Sequence, residues 1–327
     1  MANVEWHCGF DGCGSTEDLL AFADGDSSCY LDETHGYNGG KCIGCQYSTS
    51  YSRFFQKNCT PGKTKSVGCH INPTGYSNGG PKITLVGPDI TLYIPGSDTG
   101  MRVNDYGNSG GIAPPLNTIT HIEFKVFSDV SAGTVQVWLN GALVINLSGL
   151  NTGGQDITSV KYAKAWQTVY FDDIFCADDW VGHSTVVKKD PISDVSTAFT
   201  PSTGTDNYAM VDDDGQDGDD TYVETIVTGQ DLYAFETVDA SAEIVAASSV
   251  IIAKKTGAGK YPAYIQHLMK QGTTEYLGDQ KILSVEYPHA QGAGLTEQYP
   301  TAPDGSAWTP TIWNAINAGF KGTLTSP

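Results

Sequence analysis

Apolar and polar residues alternate in short runs along most of this chain, and helical periodicity is nearly absent. In His121-Ile122-Glu123-Phe124-Lys125-Val126 the apolar side chains take every second position, so Ile122, Phe124 and Val126 face one way and the polar residues the other. The runs 134–139 and 142–145 flank Asn140-Gly141. That dipeptide accepts the positive φ a type I′ turn needs at both centres, and it predicts a tight hairpin. Runs 82–86 and 90–94 flank Gly87-Pro88-Asp89 and predict a hairpin with a longer loop. Residues 167–176 read as a further strand, with Val169, Phe171 and Phe175 opposite Tyr170, Ile174 and Cys176. Strands at regular spacing with turn signals between them predict a sandwich or jelly roll.

Residues 1–80 are turn-rich, and 183–204 have a linker-like composition around Lys188-Lys189-Asp190-Pro191 and Pro201-Ser202-Thr203-Gly204. The expected organisation is a Cys-rich segment plus sandwich over 1–182, a linker over 183–204, and a smaller β-rich domain over 205–327. Near the end, Thr309 can cap a short helix with Pro310 at its first position, Gly319 can stop it, and Ile312, Trp313 and Ile316 give it one apolar face. No period of 20–50 residues marks a repeat array.

Composition narrows the function classes. Among 327 residues there are 38 glycines, and 18 basic side chains stand against 37 acidic ones, for a net charge of −19. That balance repels phosphate, and no basic cluster exceeds two residues, which argues against nucleic-acid binding. The longest mostly apolar run, 244–253, is far short of the ~20 residues that span a bilayer. Residues 1–7 lack the basic and apolar regions of a secretory signal, so synthesis in the cytoplasm without a signal peptide is expected.

Seven of the eight cysteines (Cys8, Cys13, Cys29, Cys42, Cys45, Cys59, Cys69 and Cys176) precede residue 70. Disulfides, free thiols and a zinc site at Cys42, Cys45, Cys59 and Cys69 are the open alternatives. The acidic run 212–220 offers Asp212, Asp214 and Asp217 to a Ca²⁺ ion, but its register is wrong for an EF-hand loop, and a solvated surface loop is the competing reading.

No nucleophile elbow, Walker loop or His-Glu-x-x-His motif is present. Asp172-Asp173 is the one paired carboxylate in a confident strand. Neighbours on a regular strand point to opposite faces, so the pair is not expected to converge on one substrate atom. No catalytic residue and no cofactor is expected.

Val135-Gln136-Val137-Trp138-Leu139-Asn140-Gly141-Ala142-Leu143-Val144, followed by Tyr170-Phe171-Asp172-Asp173-Ile174-Phe175, resembles the concanavalin A-like, laminin G-type jelly roll. With Asp219-Asp220-Thr221-Tyr222-Val223 and the segment from Trp308-Thr309 through Asn314-Ala315 to Gly319-Phe320-Lys321, the chain resembles a group of tailed-bacteriophage virion proteins over residues 115–322. The resemblance implies an all-β chain: a concanavalin A-like jelly-roll sandwich, then a second smaller β-rich domain with a short C-terminal helix. It implies a non-enzymatic structural component of the virion, a decoration, collar or fibre-like part of head, neck or tail. Its partners would be copies of itself and other virion proteins, with Trp308, Ile312, Trp313, Ile316 and Phe320 as assembly contacts. The alternatives are a carbohydrate-binding module for a host glycan and a glycan hydrolase with a site assembled from distant loops. First and last strands of a jelly roll often lie side by side, which would make Cys8 and Cys176 neighbours.

Overall fold

The computed structural model describes residues 2–10, 13, 16, 23, 29–45, 54–75, 80–94, 100–104, 106–163, 168–213, 219–256, 263–284 and 295–324. The chain divides into two compact units, Met1–Asp11 with Ser15–Val187, and Gly12–Gly14 with Lys188–Pro327.

The first unit is an all-β sandwich. Its strands are β1 (Val4–Cys8), β2 (Tyr30–Asp32), β3 (Cys42–Cys45), β4 (Phe54–Gly62), β5 (Thr64–Pro73), β6 (Lys82–Val86), β7 (Ile90–Tyr93), β8 (Arg102–Val103), β9 (Gly107–Asn108), β10 (Thr120–Phe127), β11 (Gly133–Leu139), β12 (Ala142–Leu150), β13 (Ile157–Ala163) and β14 (Val169–Ala177). One sheet has the order β12-β11-β10-β5-β14-β3-β2, with β1 also on β14; the other runs β4-β13-β6-β7-β8-β9. First and last strands do lie side by side, as a jelly roll requires. The Asn140-Gly141 hairpin forms with φ of 49° and 80°, the turn its residues predict.

Between the sheets, the alternating apolar positions meet. Ile122, Phe124 and Val126 are fully buried, and Tyr162 of β13 packs its ring on Phe171 of β14 at 5.4 Å. On the opposite, polar face of β10, His121 and Glu123 are equally buried. Residues 178–187 strap across that face: the Val181 and Gly182 N–H groups each donate to Glu123 at 2.8 Å, and Trp180 lies against Trp138.

A β-bulge in β14 changes the predicted facing. Pairing with β5 shifts register between Asp172 and Phe175, and Asp173 has a φ of 48°. The extra residue breaks the period of two. Phe171 therefore points into the core while Phe175 stacks with His121 on the other face, not on the same side as Phe171.

The second unit is also β-rich. It contains β15 (Pro191–Ser196), β16 (Thr200–Pro201), β17 (Val223–Glu224), β18 (Gly229–Phe235), β19 (Ala247–Val250), β20 (Ala263–Gln271), β21 (Thr274–Leu277), β22 (Lys281–Ile282), β23 (Thr296–Tyr299) and β24 (Ile316–Leu324). The main sheet runs β15-β18-β24-β20-β21 with β22 on β20. Residues 191–196 and 200–201, linker-like in composition, are strands here. At the heart of the unit, buried Asp231 accepts from the Ala198 and Phe199 N–H groups, the Asn207 amide and the Tyr233 hydroxyl.

The C-terminal helix exists, but it is one turn, Pro310–Trp313. It does not reach Gly319, which sits inside β24, where a Cβ would lie 2.1 Å from the Asp231 carbonyl oxygen. Thr309 is its N-cap, its hydroxyl accepting from the Ile312 N–H at 3.2 Å. Thr309→Ala should therefore cost the second unit about 1 kcal/mol, read from the denaturation midpoint, with Thr309→Ser restoring most of it.

The expected assembly residues serve this unit's own core. Trp308 and Phe320 are buried in two clusters, and Ile312, Trp313 and Ile316 pack against the one containing Trp308. The Trp308 and Trp313 indoles donate to the Tyr299 and Glu236 carbonyls. The rings of Trp308 and Phe320 are spent on this packing, whereas Ile312, Trp313 and Ile316 stay half-buried.

Candidate functional site

The bulge in β14 is what builds the site. Because Asp172 and Asp173 straddle it, both carboxylates reach the face of the sheet away from the core, where regular alternation would have separated them. Asp172 accepts from the Tyr37 N–H at 2.7 Å. Asp173 accepts from the Val186 N–H at 2.9 Å and holds His70 Nδ1, also at 2.9 Å. Both are buried, and both tether backbone N–H groups of loops.

The carboxylate fixes the proton on His70. A carboxylate accepts, so His70 Nδ1 is the donor to Asp173, and His70 Nε2 lies 3.3 Å from His183 Nε2. His121 completes a three-ring cluster, 5.2 Å from His70 and 4.8 Å from His183 between centroids. Neither ring nitrogen of His121 has a hydrogen-bond partner among the described residues. Burial, with the fields of His70 and His183, lowers its pKa to about 3. Burial and then His70 lower that of His183. His121 is therefore neutral at neutral pH. Beside it, burial pushes the Glu123 carboxyl up, although Ser66 and the two strap N–H groups pull the other way.

Past the strap, the same face carries a shallow cleft that encloses little space. His35, Tyr37, His70, Asn72, Tyr170 and Asp172 line it, with Ile71 and Ile119 adding apolar surface. Two ring pairs wall it. His35 stacks on Tyr170 at 4.2 Å and 2°, and Tyr37 on His70 at 4.2 Å and 16°. The loop carrying them is pinned by Asp32, which accepts from the Thr34 and His35 N–H groups and binds His35 Nδ1 at 2.8 Å. Burial pulls the Asp32 carboxyl upward, but those hydrogen bonds outweigh it and hold the pKa below its ordinary value. Burial also raises Tyr170 and, with the Tyr170 oxygen accepting its hydrogen bond, Tyr30. Both phenols therefore stay protonated. On the cleft lining, Asn72 Oδ1 is buried with no hydrogen-bond partner among the described residues.

Of these cleft residues the sequence singled out only Tyr170 and Asp172, and neither as part of a site. The available signal was polar rings such as His70, His121 and Tyr170 on outward positions of strongly apolar strands.

The residues that the sequence did nominate scatter. The four zinc candidates do not converge: Cys45 meets Cys29 at 2.7 Å across β2 and β3, Cys59 lies on β4 in the other sheet, and Cys69 is fully buried on β5. Burial, then Asp172 and Asp173, pushes the Cys69 thiol up. Cys13 and Cys42 are also buried. Cys8 is opposite Ile174, while Trp6 is opposite Cys176, so register separates the expected Cys8–Cys176 pair; the thiol beside Cys176 is Cys59. Among the described residues no disulfide is formed. Of the Ca²⁺ candidates, Asp214 and Asp217 lie outside the described residues, and the Asp212 carbonyl accepts from Lys188 Nζ.

No family model and no curated protein matches the chain. Solved structures do show similar folds. The endo-β-1,4-glucuronan lyase from the fungus Trichoderma reesei is 9% identical over 47% of this chain and 89% of its own, with a TM-score of 0.36. Alginate lyase Aly36B is 11% identical over 54% of this chain and 98% of its own, at a TM-score of 0.39. A protein with a galectin-like fold from Bacillus subtilis is 13% identical over 54% and 98%, at 0.35. These likenesses concern the fold alone.

Proposed function

We propose that the first unit is a glycan-binding module, and that the cleft walled by the His35–Tyr170 and Tyr37–His70 ring pairs takes one sugar ring. The observation that carries this reading is Asn72 Oδ1. A buried acceptor without a donor costs about 1–3 kcal/mol, and a sugar hydroxyl is the donor that fits between aromatic rings. Among the described residues the cleft lining holds no lysine or arginine and does hold Asp172, on a chain of net charge −19. Its ligand is therefore a neutral glycan and not a polyuronate.

The setting we propose is the one the sequence resemblance implies, display on a tailed-phage particle as a non-enzymatic component. Recognition of a host-surface glycan then takes the place of assembly as the role of this unit.

The test is an array of neutral and uronate-rich oligosaccharides probed with the full chain, beside a depolymerisation assay. Binding to neutral glycans is expected, weakened about tenfold or more by Tyr37→Ala or Asn72→Ala. Asn72→Ala should leave stability unchanged or slightly raised, since it removes an unpaired acceptor. Absence of binding across the array returns the unit to a structural role, and released oligosaccharide products make it an enzyme.

A further inference from the structure

Away from the cleft, β1, β4, β5 and β14 bring four reactive side chains to one place between the sheets. A Glu5 oxygen, Cys59 Sγ and Cys176 Sγ all lie within 4.8 Å of one another. Lys65 Nζ bonds Glu5, which also accepts from the Thr60 N–H at 2.8 Å. Trp6 ties the same strands together, its indole donating to the Asn58 carbonyl at 2.9 Å. Cys176 is fully buried, and Cys59 is half-buried. Three ligand atoms could suit a metal, but the buried Lys65 ammonium already neutralises the carboxylate and repels a dication.

We propose that Cys59 and Cys176 are a redox-active dithiol that reacts with low-molecular-weight disulfides such as oxidised glutathione, Cys59 attacking and Cys176 resolving, and that its oxidation links the two sheets of the sandwich. The two thiols are unlike in the way this chemistry needs. The neighbouring Cys176 thiol, and then the Lys65 charge, hold the Cys59 thiol below its ordinary pKa in spite of burial, with Cys59 Sγ also 3.8 Å from the Ile157 carbonyl oxygen. The same thiol pairing, with burial, pushes Cys176 up, so it keeps its proton until a partner sulfur is presented. The more acidic thiol at the accessible position and the less acidic thiol behind it set the order of attack.

The Cys59 thiolate attacks one sulfur of glutathione disulfide, forming a mixed disulfide and expelling one glutathione thiolate, which takes up the Cys176 proton. The Cys176 thiolate then attacks Cys59 Sγ and expels the second glutathione thiolate, protonated by solvent. Two protein thiols lose two electrons, and one small disulfide becomes two thiols. The new bond joins β4 in one sheet to β14 in the other.

The reduced full chain is incubated with excess oxidised glutathione, quenched and mapped by non-reducing peptide mass spectrometry, and its alkylation by iodoacetamide at about pH 6.5 is followed site by site. The expected product is a Cys59–Cys176 peptide. Cys176→Ser should instead trap glutathione on Cys59, whereas Cys59→Ser should leave Cys176 unmodified. Cys59 should alkylate about fivefold or more faster than any other cysteine, an advantage reduced by Lys65→Gln and absent in urea. Free Cys59 and Cys176 after oxidation, or no preference for Cys59 in alkylation, overturns the proposal. So does stoichiometric Zn²⁺ binding that protects Cys59 and is lost in Cys176→Ser.

Discussion

Acidification from neutral pH to about pH 4 should lower the unfolding free energy of the sandwich steeply, by on the order of 2–3 kcal/mol per pH unit over the lower part of that range. Two buried histidines drive the loss. Burial holds the pKa of His121 at about 3 and that of His7 at about 4, the latter although Asp173 pulls upward. Both stay neutral when folded and take up a proton near pH 6.5 when unfolded. Between about pH 6 and pH 4 the unfolded chain thus binds more protons, so stability falls as pH falls and is regained above the unfolded pKa. His183, also lowered, adds to the slope; Glu123, raised by burial, opposes it because its neutral form is easier to bury. The measurement is hydrogen exchange of peptides from β5, β10 and β14 across pH, corrected for intrinsic rates. His121→Phe keeps a ring against Phe175 and should flatten the acid limb by about 1 kcal/mol per pH unit. Equal slopes in the two proteins would remove His121 as the cause.

This sensitivity shows what the sequence could and could not reveal. Alternation placed Ile122, Phe124 and Val126 in the core, and the Asn140-Gly141 turn set the β11–β12 hairpin, because both are local effects. Burial of His121 and Glu123 is not local. It depends on a strap more than fifty residues away, whose N–H groups need the Glu123 carboxylate to replace water. The C-terminal helix shows the same divide. Thr309 and Pro310 fixed its start, but its end was decided by Ile316 onward pairing with β18 and β20. At the cleft, Tyr37, Asn72 and Tyr170 come from three separate segments, so no spacing rule could gather them.

Asp173→Ala should be the most damaging single change in the sandwich, costing on the order of 3–5 kcal/mol. Two buried donors, His70 Nδ1–H and the Val186 N–H, would lose their acceptor, and alanine tolerates a φ of 48° less well than aspartate. The variants separate these causes. Asp173→Gly relieves the backbone and should recover about 1 kcal/mol of the loss. Asp173→Asn keeps a residue that accepts the left-handed region, but its one carbonyl oxygen replaces two carboxylate oxygens, so one donor stays poorly served. It should fold with an intermediate loss, and it gives the sharper functional readout. Without the carboxylate, the tautomer and orientation of His70 are no longer fixed, and the Tyr37 ring stacked on it loses its support. Neutral-glycan binding should weaken in Asp173→Asn even where circular dichroism and exchange show an intact sandwich. Wild-type stability in Asp173→Ala would mean that the bulge does not depend on these bonds. A stable Asp173→Asn with unchanged binding would detach His70 from the cleft.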